Sequence, residues 1–193
     1  MQKPIIQCIL AAGESRRMGA IKALINMNGK PLIQHHLEKF GGTSIVVLGC
    51  HSEQILNTVD ITNHVQNPNW RDGQFSSIRK VLEQVPKGFD AFILPVDHLP
   101  IKQCTYRILA DSRIENFSVI QPSNEGVNGH PVLLSEKFIQ KILCYKSGNS
   151  RLDHLIHELH TSVKIHKEII DPACYTNLNT PSNLDERINP ENV

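Results

Sequence analysis

The sequence predicts a single α/β domain in which a mostly parallel central sheet carries helices on both faces. Short apolar runs alternate with amphipathic stretches along the chain, which is the pattern of parallel strands joined by crossover helices. The 193 residues are enough for one domain with a sizeable core. Apolar residues make up 40% of the chain and 11 glycines add to them, so a disordered or collagen-like chain is excluded.

The first half of the chain predicts three strands and three helices. Residues 5–10 form an apolar run typical of a buried strand, and further strands are predicted at 44–49 and, more briefly, at 64–66. The helices between and after them carry apolar residues at helical spacing. They are predicted at 31–40, 52–58 and 76–85.

The second half continues the alternation. Its most apolar strand is predicted at 91–96 and ends at Asp97. Shorter strands are predicted at 118–121, 131–134 and, at an edge of the sheet, 162–167. Helices are predicted at 101–112, 136–145, 150–160 and 180–187. We expect the domain to span residues 1–188 and a short tail to follow at 189–193.

Charge and cysteine usage exclude several classes of protein. There are 20 Lys plus Arg and 19 Asp plus Glu, so no basic field attracts nucleic acid or a membrane surface. The five cysteines are widely spread without a CxxC pair, which argues against a zinc ribbon or a disulfide framework. The amino-terminal apolar run is too short for a signal peptide, and no stretch approaches 18 apolar residues. We therefore expect a cytoplasmic protein that binds anions through a local cluster of cationic side chains and backbone N–H groups.

The loop after the first strand has the composition of such a device. Residues 10–22 contain two glycines, two arginines and a lysine directly after a buried strand. Ligands of open α/β sheets bind at the carboxyl ends of strands, where free backbone N–H groups can hold phosphate oxygens. Arg17 and Lys22 add the fixed positive charge that a polyphosphate needs. The spacing of Gly13 and Gly19 matches neither a Walker loop nor a GxGxxG fingerprint.

Several motifs in this chain together resemble one family. The segment Leu10-Ala-Ala-Gly-Glu-Ser-Arg-Arg-Met-Gly-Ala-Ile-Lys22 is similar to the signature of MobA-like NTP transferases, which include molybdenum cofactor guanylyl- and cytidylyltransferases. The segments 67–79 (NPNWRDG and then SS) and 129–133 (GHPVL) resemble motifs of the cytidylyltransferase branch. Asp97 stands where the family has a metal-binding Asp, and residues 177–184 stand where it has DIDTPEDL. The resemblance spans roughly residues 5–187.

The resemblance implies a Rossmann-like, glycosyltransferase-A-like nucleotidyltransferase fold and a defined reaction. These enzymes transfer a nucleoside monophosphate from an NTP to a phosphate-bearing acceptor and release pyrophosphate. By the family comparison, Arg17 and Lys22 bind the triphosphate, and Lys22 stabilises the transferring phosphoryl group. Asp97 and Asn179 hold Mg²⁺, and the catalytic set is Lys22, Arg17 and Asp97. The base and ribose lie against the backbone of four residues: Leu10, Ala11, Ala12 and Gly13.

The resemblance also implies the two substrates. The pair Ala11-Ala12, where the guanylyl branch has Ala-Gly, is similar to enzymes that use CTP. A methyl group at position 12 narrows the space beside the base, which favours a pyrimidine. The acceptor is then molybdopterin, with or without its metal. It is expected to contact two groups of residues: Asn67, Trp70, Gly73, Ser76 and Ser77 in one loop, and Gly129, His130 and Pro131 in another.

Alternatives remain open at this point. Trp70 either stacks on the pterin or packs its own loop, and His130 either contacts substrate or makes a hydrogen bond within a turn. The same fold could use GTP, or a sugar or polyol phosphate as acceptor. A further hypothesis is a non-catalytic factor that binds pterin or nucleotide and helps a molybdenum hydroxylase to mature. His154, His157 and His160 are interpreted as a solvated helix face rather than a zinc site, since HExxH is absent.

Overall fold

The computed structural model describes residues 3–15, 19–145 and 151–178 of the chain. Within these residues the main sheet has eight strands, and a two-stranded hairpin stands apart from it. The strands are β1 (Ile5–Ala11), β2 (Asn26–Met27), β3 (Lys30–Pro31), β4 (Ser44–Leu48), β5 (His64–Gln66), β6 (Asp90–Pro95), β7 (Val119–Asn124), β8 (Val127–Asn128), β9 (Val132–Leu134) and β10 (Lys164–Glu168). The helices are α1 (Leu32–Phe40), α2 (Ser52–Thr58), α3 (Gln74–Leu82), α4 (Gln103–Asp111), α5 (Glu136–Cys144) and α6 (Leu152–His157).

The sheet is mostly parallel, with a short antiparallel insertion near one side. Its order is β10-β7-β9-β6-β1-β4-β5, and β8 pairs with β7 as a branch. The pairs β6–β1, β1–β4, β4–β5 and β10–β7 are parallel, whereas β9 runs antiparallel to both β6 and β7. Because β1 lies between β4 and β6, the loops that follow these three strands meet at one edge of the sheet.

Helices cover both faces of the sheet, so the central strands are buried on both sides. The side chains of β1 alternate between two cores: Cys8 packs beneath α3, α5 and α6, while Ile9 packs against α1 and α2. A third cluster joins α4 to the opposite half of the sheet through Phe92 and Tyr106, whose rings meet edge to face at 5.2 Å. Strands buried on both faces read as continuous apolar runs, which is why β1, β4 and β6 were predictable.

The predicted fold class is confirmed, and most predicted elements are present with shifted ends. The strand predicted at 118–121 extends to Asn124 because it pairs with β8 and β10 on its two edges. The helix predicted at 150–160 ends at His157, and a 3₁₀ turn at Thr161–Val163 then leads into β10. The hairpin of β2 and β3 was not predicted. The helix predicted at 180–187 and the tail at 189–193 lie outside the described residues.

No helix within residues 3–15, 19–145 and 151–178 combines the length and the apolar character that are needed to cross a bilayer.

Candidate active site

A cleft of about 630 Å³ opens at the carboxyl ends of β1 and β6. The loop after β1 forms one wall, the end of β6 forms the floor, and the segment leading into α3 forms the opposite wall. Backbone groups of the first loop therefore face the open space, as expected for a nucleotide site at this edge of an α/β sheet. Nine residues predicted from the sequence line it: Leu10, Ala11, Ala12, Gly13, Lys22, Trp70, Gly73, Ser77 and Asp97.

An ion pair between Lys22 and Asp97 lies at the centre of this cleft. The Lys22 ammonium is 2.8 Å from Oδ2 of Asp97, and the two side chains are 15% and 21% exposed. Asp97 lies two residues beyond the end of β6, while Lys22 begins the 3₁₀ turn Lys22–Leu24. The Lys22 backbone N–H donates to the hydroxyl of Ser15 at 3.2 Å, which ties this turn to the loop after β1. The cleft thus brings together a cation and a carboxylate that are 75 residues apart in the sequence.

A small apolar cluster holds the chain on both sides of the ion pair. Ile25 and Met27 pack with Leu32 and Leu178 just beyond the Lys22 turn. The Leu178 N–H also donates to the Asp97 carbonyl at 2.7 Å, and the preceding residues pair antiparallel with the Asp97 loop. The carboxyl-terminal segment up to Leu178 therefore runs beside the metal-binding candidate Asp97. Arg17 and Asn179, which the family comparison assigns to triphosphate and metal, lie outside the described residues.

A close approach at Gly49 shapes the wall opposite the ion pair. A β-carbon at this position would lie 2.5 Å from the Ala12 carbonyl oxygen and 2.9 Å from the β-carbon of Trp70. The Ala12 methyl faces this contact and the residue is only 4% exposed. Trp70 is half-buried, and the Arg71 guanidinium lies 4.5 Å from the centre of its ring. Trp70 thus lines the first cleft and packs its own loop. Sequence reasoning missed Gly49, although a glycine directly after a strand at this sheet edge is the signal.

Asn67 holds the loop between β5 and α3 in place. Its side-chain N–H groups donate to the hydroxyls of Ser76 and Ser77 at 2.9 and 3.0 Å, and its side-chain oxygen accepts from the Asn69 N–H at 3.0 Å. The residue is only 3% exposed. Asn67 and Ser76 line neither large cleft, so they position Ser77 and Gly73, which do line the first one.

We expect Asn67→Ala to destabilise the fold measurably. Three hydrogen bonds are lost, one buried and two partly buried, and removing a buried partner costs about 1–3 kcal/mol, which is roughly 2–10 °C in melting temperature for a domain of this size. Thermal unfolding followed by circular dichroism measures the effect. Asn63→Ala is the matched control, since Asn63 is exposed and its side chain lines none of the clefts. Equal melting temperatures for the two variants would show that the Asn67 side chain does not stabilise the loop between β5 and α3.

A second cleft, of about 890 Å³, opens beside the first one. Leu10, Gly73 and Gln74 line both clefts, so the two spaces meet at the start of α3. The floor of the second cleft is apolar, whereas its outer wall is polar. The polar wall comes from β7, β8, β10 and α6 and comprises Gln121, Asn128, Arg151, Asp153, His157, Lys164 and His166. Of the predicted acceptor residues, Gly73, Gly129 and His130 line this cleft, and buried Pro131 lines neither.

Gly129 and His130 join the second cleft to the loop that carries Asp97. A β-carbon at Gly129 would lie 2.5 Å from the Cys174 carbonyl oxygen, and the His130 N–H donates to that same oxygen at 2.9 Å. The rings of His98 and His130 meet edge to face with centroids 4.7 Å apart. Gly129 therefore allows the chain to approach the Cys174 carbonyl more closely than a larger residue could. The His130 backbone N–H makes the hydrogen bond in this approach, and His130 also lines the cleft.

The histidines around Asp97 are uncharged at neutral pH. Burial lowers the pKa of His36 to about 4 and that of His130 to about 3, and it also lowers the pKa of His98. Nε2 of His36 donates to the Val96 carbonyl, beside Asp97, at 3.2 Å. Within the described part of the chain, the positive charge next to the Asp97 carboxylate is therefore the Lys22 ammonium and not an imidazolium.

The first cleft could hold a divalent cation whose coordination is completed by the substrate. Asp97 is a partly exposed carboxylate at a strand end, and Mg²⁺ in phosphoryl-transfer sites uses one or two carboxylates with phosphate oxygens and water. Among the described residues, no group of three His, Cys, Asp or Glu side chains could hold a metal by itself. His154 and His157, on α6, and His160, just after it, belong to that part of the chain. A metal at Asp97 would take its further ligands from phosphate oxygens, from water or from residues outside the described ranges.

Comparison with known proteins identifies the family. A model of the MobA-like NTP transferase domain matches residues 7–163. The chain belongs to the MobA-like NTP transferase family. It is therefore a nucleotidyltransferase, and the predicted family membership is confirmed. A molybdenum cofactor guanylyltransferase of Vibrio cholerae is 26% identical over 190 residues, which cover 91% of this chain and 87% of that protein.

Solved structures share the fold of this MobA-like chain. A nucleotidyl transferase from Methanothermobacter superposes with a TM-score of 0.78 at 20% identity and covers 95% of both chains. A Mycobacterium tuberculosis protein in complex with manganese superposes with a TM-score of 0.74 at 16% identity. That alignment covers 97% of this chain and 99% of the other. At these identities the likeness shows the shared architecture.

Proposed function

We propose that this MobA-like nucleotidyltransferase transfers CMP from CTP to the phosphate of a molybdopterin-type acceptor and releases pyrophosphate. The observation that carries the proposal is the junction of the two clefts at Leu10, Gly73 and Gln74. A nucleotide in the first cleft and an acceptor in the second would meet at this junction. Holding two reactants in contact in this way removes much of the entropic barrier to their reaction.

The first cleft offers the groups that a nucleoside triphosphate needs. The backbone of residues 10–13 and the side chain of Ser77 face the space for the base and ribose. Lys22 faces the space for the phosphates, and Arg17, from the same loop in sequence, adds a second cation in our proposal. Free backbone N–H groups and fixed cations together can hold phosphate oxygens.

Transfer needs one bond to form and one to break. An oxygen of the acceptor's phosphate attacks the α-phosphorus, and the bond between that phosphorus and the bridging oxygen breaks, so that pyrophosphate leaves with the electron pair. Negative charge grows on the α-phosphoryl oxygens and on the leaving group. Lys22 is placed to stabilise this charge, because its ammonium lies at the floor of the cleft and pairs with Asp97.

A divalent cation, in our proposal Mg²⁺, would be held by Asp97 and by the Asn179 side-chain carbonyl. When bound, it supplies Lewis-acid stabilisation of the phosphate charge. The manganese complex of the Mycobacterium tuberculosis neighbour supports a divalent cation in this fold. The Leu178 N–H bond to the Asp97 carbonyl supports Asn179, the next residue, as the second ligand.

The second cleft suits an acceptor that carries a phosphate and a ring. Arg151 and Lys164 contribute positive charge to its wall, and Gly129 and His130 contribute the wall nearest Asp97. Arg151 is held by Asp153 through two contacts of 3.0 Å, so of the two cations on this wall Lys164 is the one with no carboxylate partner among the described residues. A sugar or polyol phosphate would leave much of this cleft empty, which is why we favour the larger acceptor.

The free thiols of all five cysteines agree with a reducing, cytoplasmic location.

The identity of the nucleotide depends on the wall around residue 12. Ala12 and Trp70 approach each other across Gly49, and the Ala12 methyl fills space that a glycine would leave open. The narrower wall and the segments 67–77 and 129–133 support CTP. GTP is the second candidate, because the Vibrio cholerae relative is named a guanylyltransferase. A third hypothesis is a factor that binds pterin or nucleotide for a molybdenum hydroxylase without turnover. A pyrophosphate-release assay distinguishes it from an enzyme, because such a factor would release no pyrophosphate.

We expect CTP to be preferred over GTP by at least about tenfold in kcat/KM, a difference of about 1.4 kcal/mol that one displaced methyl contact can supply. Purified protein with molybdopterin and Mg²⁺ is given each nucleotide in turn, and pyrophosphate release is measured. Ala12→Gly should narrow the preference, while Ala20→Gly, in the same loop but outside the lining of the cleft, should leave it unchanged. A preference for GTP in the parent protein would place the chain in the guanylyl branch.

A further inference from the structure

Three neighbouring strands place amide and imidazole groups at the far end of the second cleft. Gln121 on β7, Asn128 on β8 and His166 on β10 all line it. His166 is the register partner of Gln121 in the parallel pair, and Ser123 on β7 pairs with Asn128. Because Ile120 and Ile165 pack into the core on the other face of the sheet, Gln121 and His166 project into the cleft. None of these three residues belongs to a motif of the family resemblance.

The opposite side of the same cleft is apolar. Side chains from α3, β6, β9 and α6 form this side: Phe75, Ile78, Ile93, Val132 and Ile156. All five are less than a tenth exposed and belong to one core cluster, so the surface they form is rigid. An apolar floor with a few polar groups along one edge is the usual composition of a small-molecule site.

The polar edge has a defined pattern of donors and acceptors. His166 Nδ1 lies 2.9 Å from the side-chain oxygen of Asn128. If this nitrogen carries the proton, the Asn128 amide N–H groups stay available as donors and His166 Nε2 as an acceptor. Gln121 adds one carbonyl and one amide group. The site therefore offers both donors and acceptors in one row, in contrast to the cationic groups of Arg151 and Lys164 on the same wall.

We propose that Gln121, Asn128 and His166 bind the hydrogen-bonding edge of a planar heterocycle, the amino-pyrimidinone edge of the acceptor's pterin ring. The inference rests on the proposed function, because it assigns the distal part of the acceptor to this end of the cleft. With the ring there, the chain of the acceptor would run along Gly73 and Gln74 towards the first cleft and bring its phosphate to Lys22. The three residues thereby determine which acceptor is bound.

Guanine carries the same edge, so the test must separate a pterin from a nucleotide base. The probe is 6-hydroxymethylpterin, whose fluorescence is titrated with the full-length protein in the absence and presence of saturating CTP or GTP. We expect pterin binding to persist with either nucleotide bound. Loss of pterin binding on adding CTP would put the ring in the first cleft and overturn the proposal. Weaker GTP binding in Gln121→Ala would assign the polar edge to guanine and overturn it equally.

Variants of the polar edge give the second readout. Gln121→Ala and Asn128→Ala should each raise the Kd for the pterin about five- to tenfold, the effect of one or two lost hydrogen bonds, and leave the Kd for CTP unchanged. Gln84→Ala and Asn63→Ala are matched controls, because both residues are exposed and line neither large cleft. Unfolding curves check that the variants fold. Pterin affinities equal to those of the controls would contradict the assignment.

Turnover with molybdopterin separates this inference from the proposed function. If the parent protein turns over and both variants raise the acceptor KM but not the nucleotide KM, both proposals are supported. If the parent turns over and the variants keep its acceptor KM, the polar edge is wrong and the function stands. If the parent releases no pyrophosphate with any nucleotide but the variants still weaken pterin binding, the function is wrong and the pterin site stands.

Discussion

Replacing Lys22 with alanine should lower kcat/KM for nucleotide transfer by about 10²–10³-fold, the usual cost of losing one group that stabilises transition-state charge. The Lys22 ammonium is the described cation that pairs with Asp97 on the floor of the first cleft. Its loss leaves the α-phosphoryl oxygens without that charge. Steady-state pyrophosphate release measures the effect.

The same substitution should change stability far less than activity. The side chains of the pair are 15% and 21% exposed, so its cost lies between that of an exposed pair, less than about 1 kcal/mol, and that of breaking a buried pair, about 3–5 kcal/mol. Lys30→Ala is the matched control, because Lys30 also pairs with a carboxylate, Glu38 at 2.8 Å, but lies away from both clefts. If the Lys22→Ala and Lys30→Ala variants had equal turnover, Lys22 would have no role in catalysis. Unfolding of the Lys22 variant alone would show a structural role instead.

Asp97→Asn should be the most damaging single substitution, with a loss of about 10³-fold or more in kcat/KM, equivalent to about 4 kcal/mol of transition-state stabilisation. The asparagine keeps the size of the side chain but removes the charge that attracts a divalent cation and balances Lys22. The apparent affinity for Mg²⁺, taken from activity as a function of metal concentration, should fall together with the rate.

A carboxylate far from the clefts gives the control for this variant. Asp111 is exposed at the end of α4, and Asp111→Asn should keep the metal dependence of the parent protein. If Asp97→Asn retained the parent's half-saturating Mg²⁺ concentration, with only a lower rate, Asp97 would not be a metal ligand. Its role would then be limited to orienting Lys22.

The sequence predicts the first cleft well because the cleft is built from strand ends. The loop at 10–22 and Asp97 each follow an apolar run, and adjacent parallel strands bring such ends together. Lys22 and Asp97 are 75 positions apart in the sequence, and they come into contact because β1 and β6 are parallel neighbours whose following loops meet at one edge of the sheet.

The second cleft could not be predicted in the same way. Gln121, Asn128 and His166 are single polar residues in short strands, and only the pairing of β10 and β8 with β7 brings them together. An edge pairing of this kind depends on tertiary packing rather than on local pattern. The hairpin of β2 and β3 had a local signal that was overlooked: Asn28 and Gly29 both adopt positive φ, as an Asn-Gly turn favours.

Loop roles show the same limit. The segment 67–77 was expected to contact the acceptor as a unit, yet its residues divide between functions. Asn67 is buried and clamps Ser76 and Ser77, whereas Trp70 lines the first cleft and Gly73 lines both. A motif shows that a segment matters, but burial and hydrogen bonding decide which of its side chains face a ligand.

The most direct test of this account follows the α-phosphorus of the nucleotide. Purified protein, Mg²⁺, molybdopterin and CTP labelled at the α-phosphate are incubated, and the products are separated by chromatography. The account predicts that the label appears in a nucleotide–molybdopterin conjugate, in equal amount to the pyrophosphate released, and only when the acceptor is present. Label in free CMP without acceptor, or tight binding of both ligands with no conjugate from CTP or GTP, would contradict it.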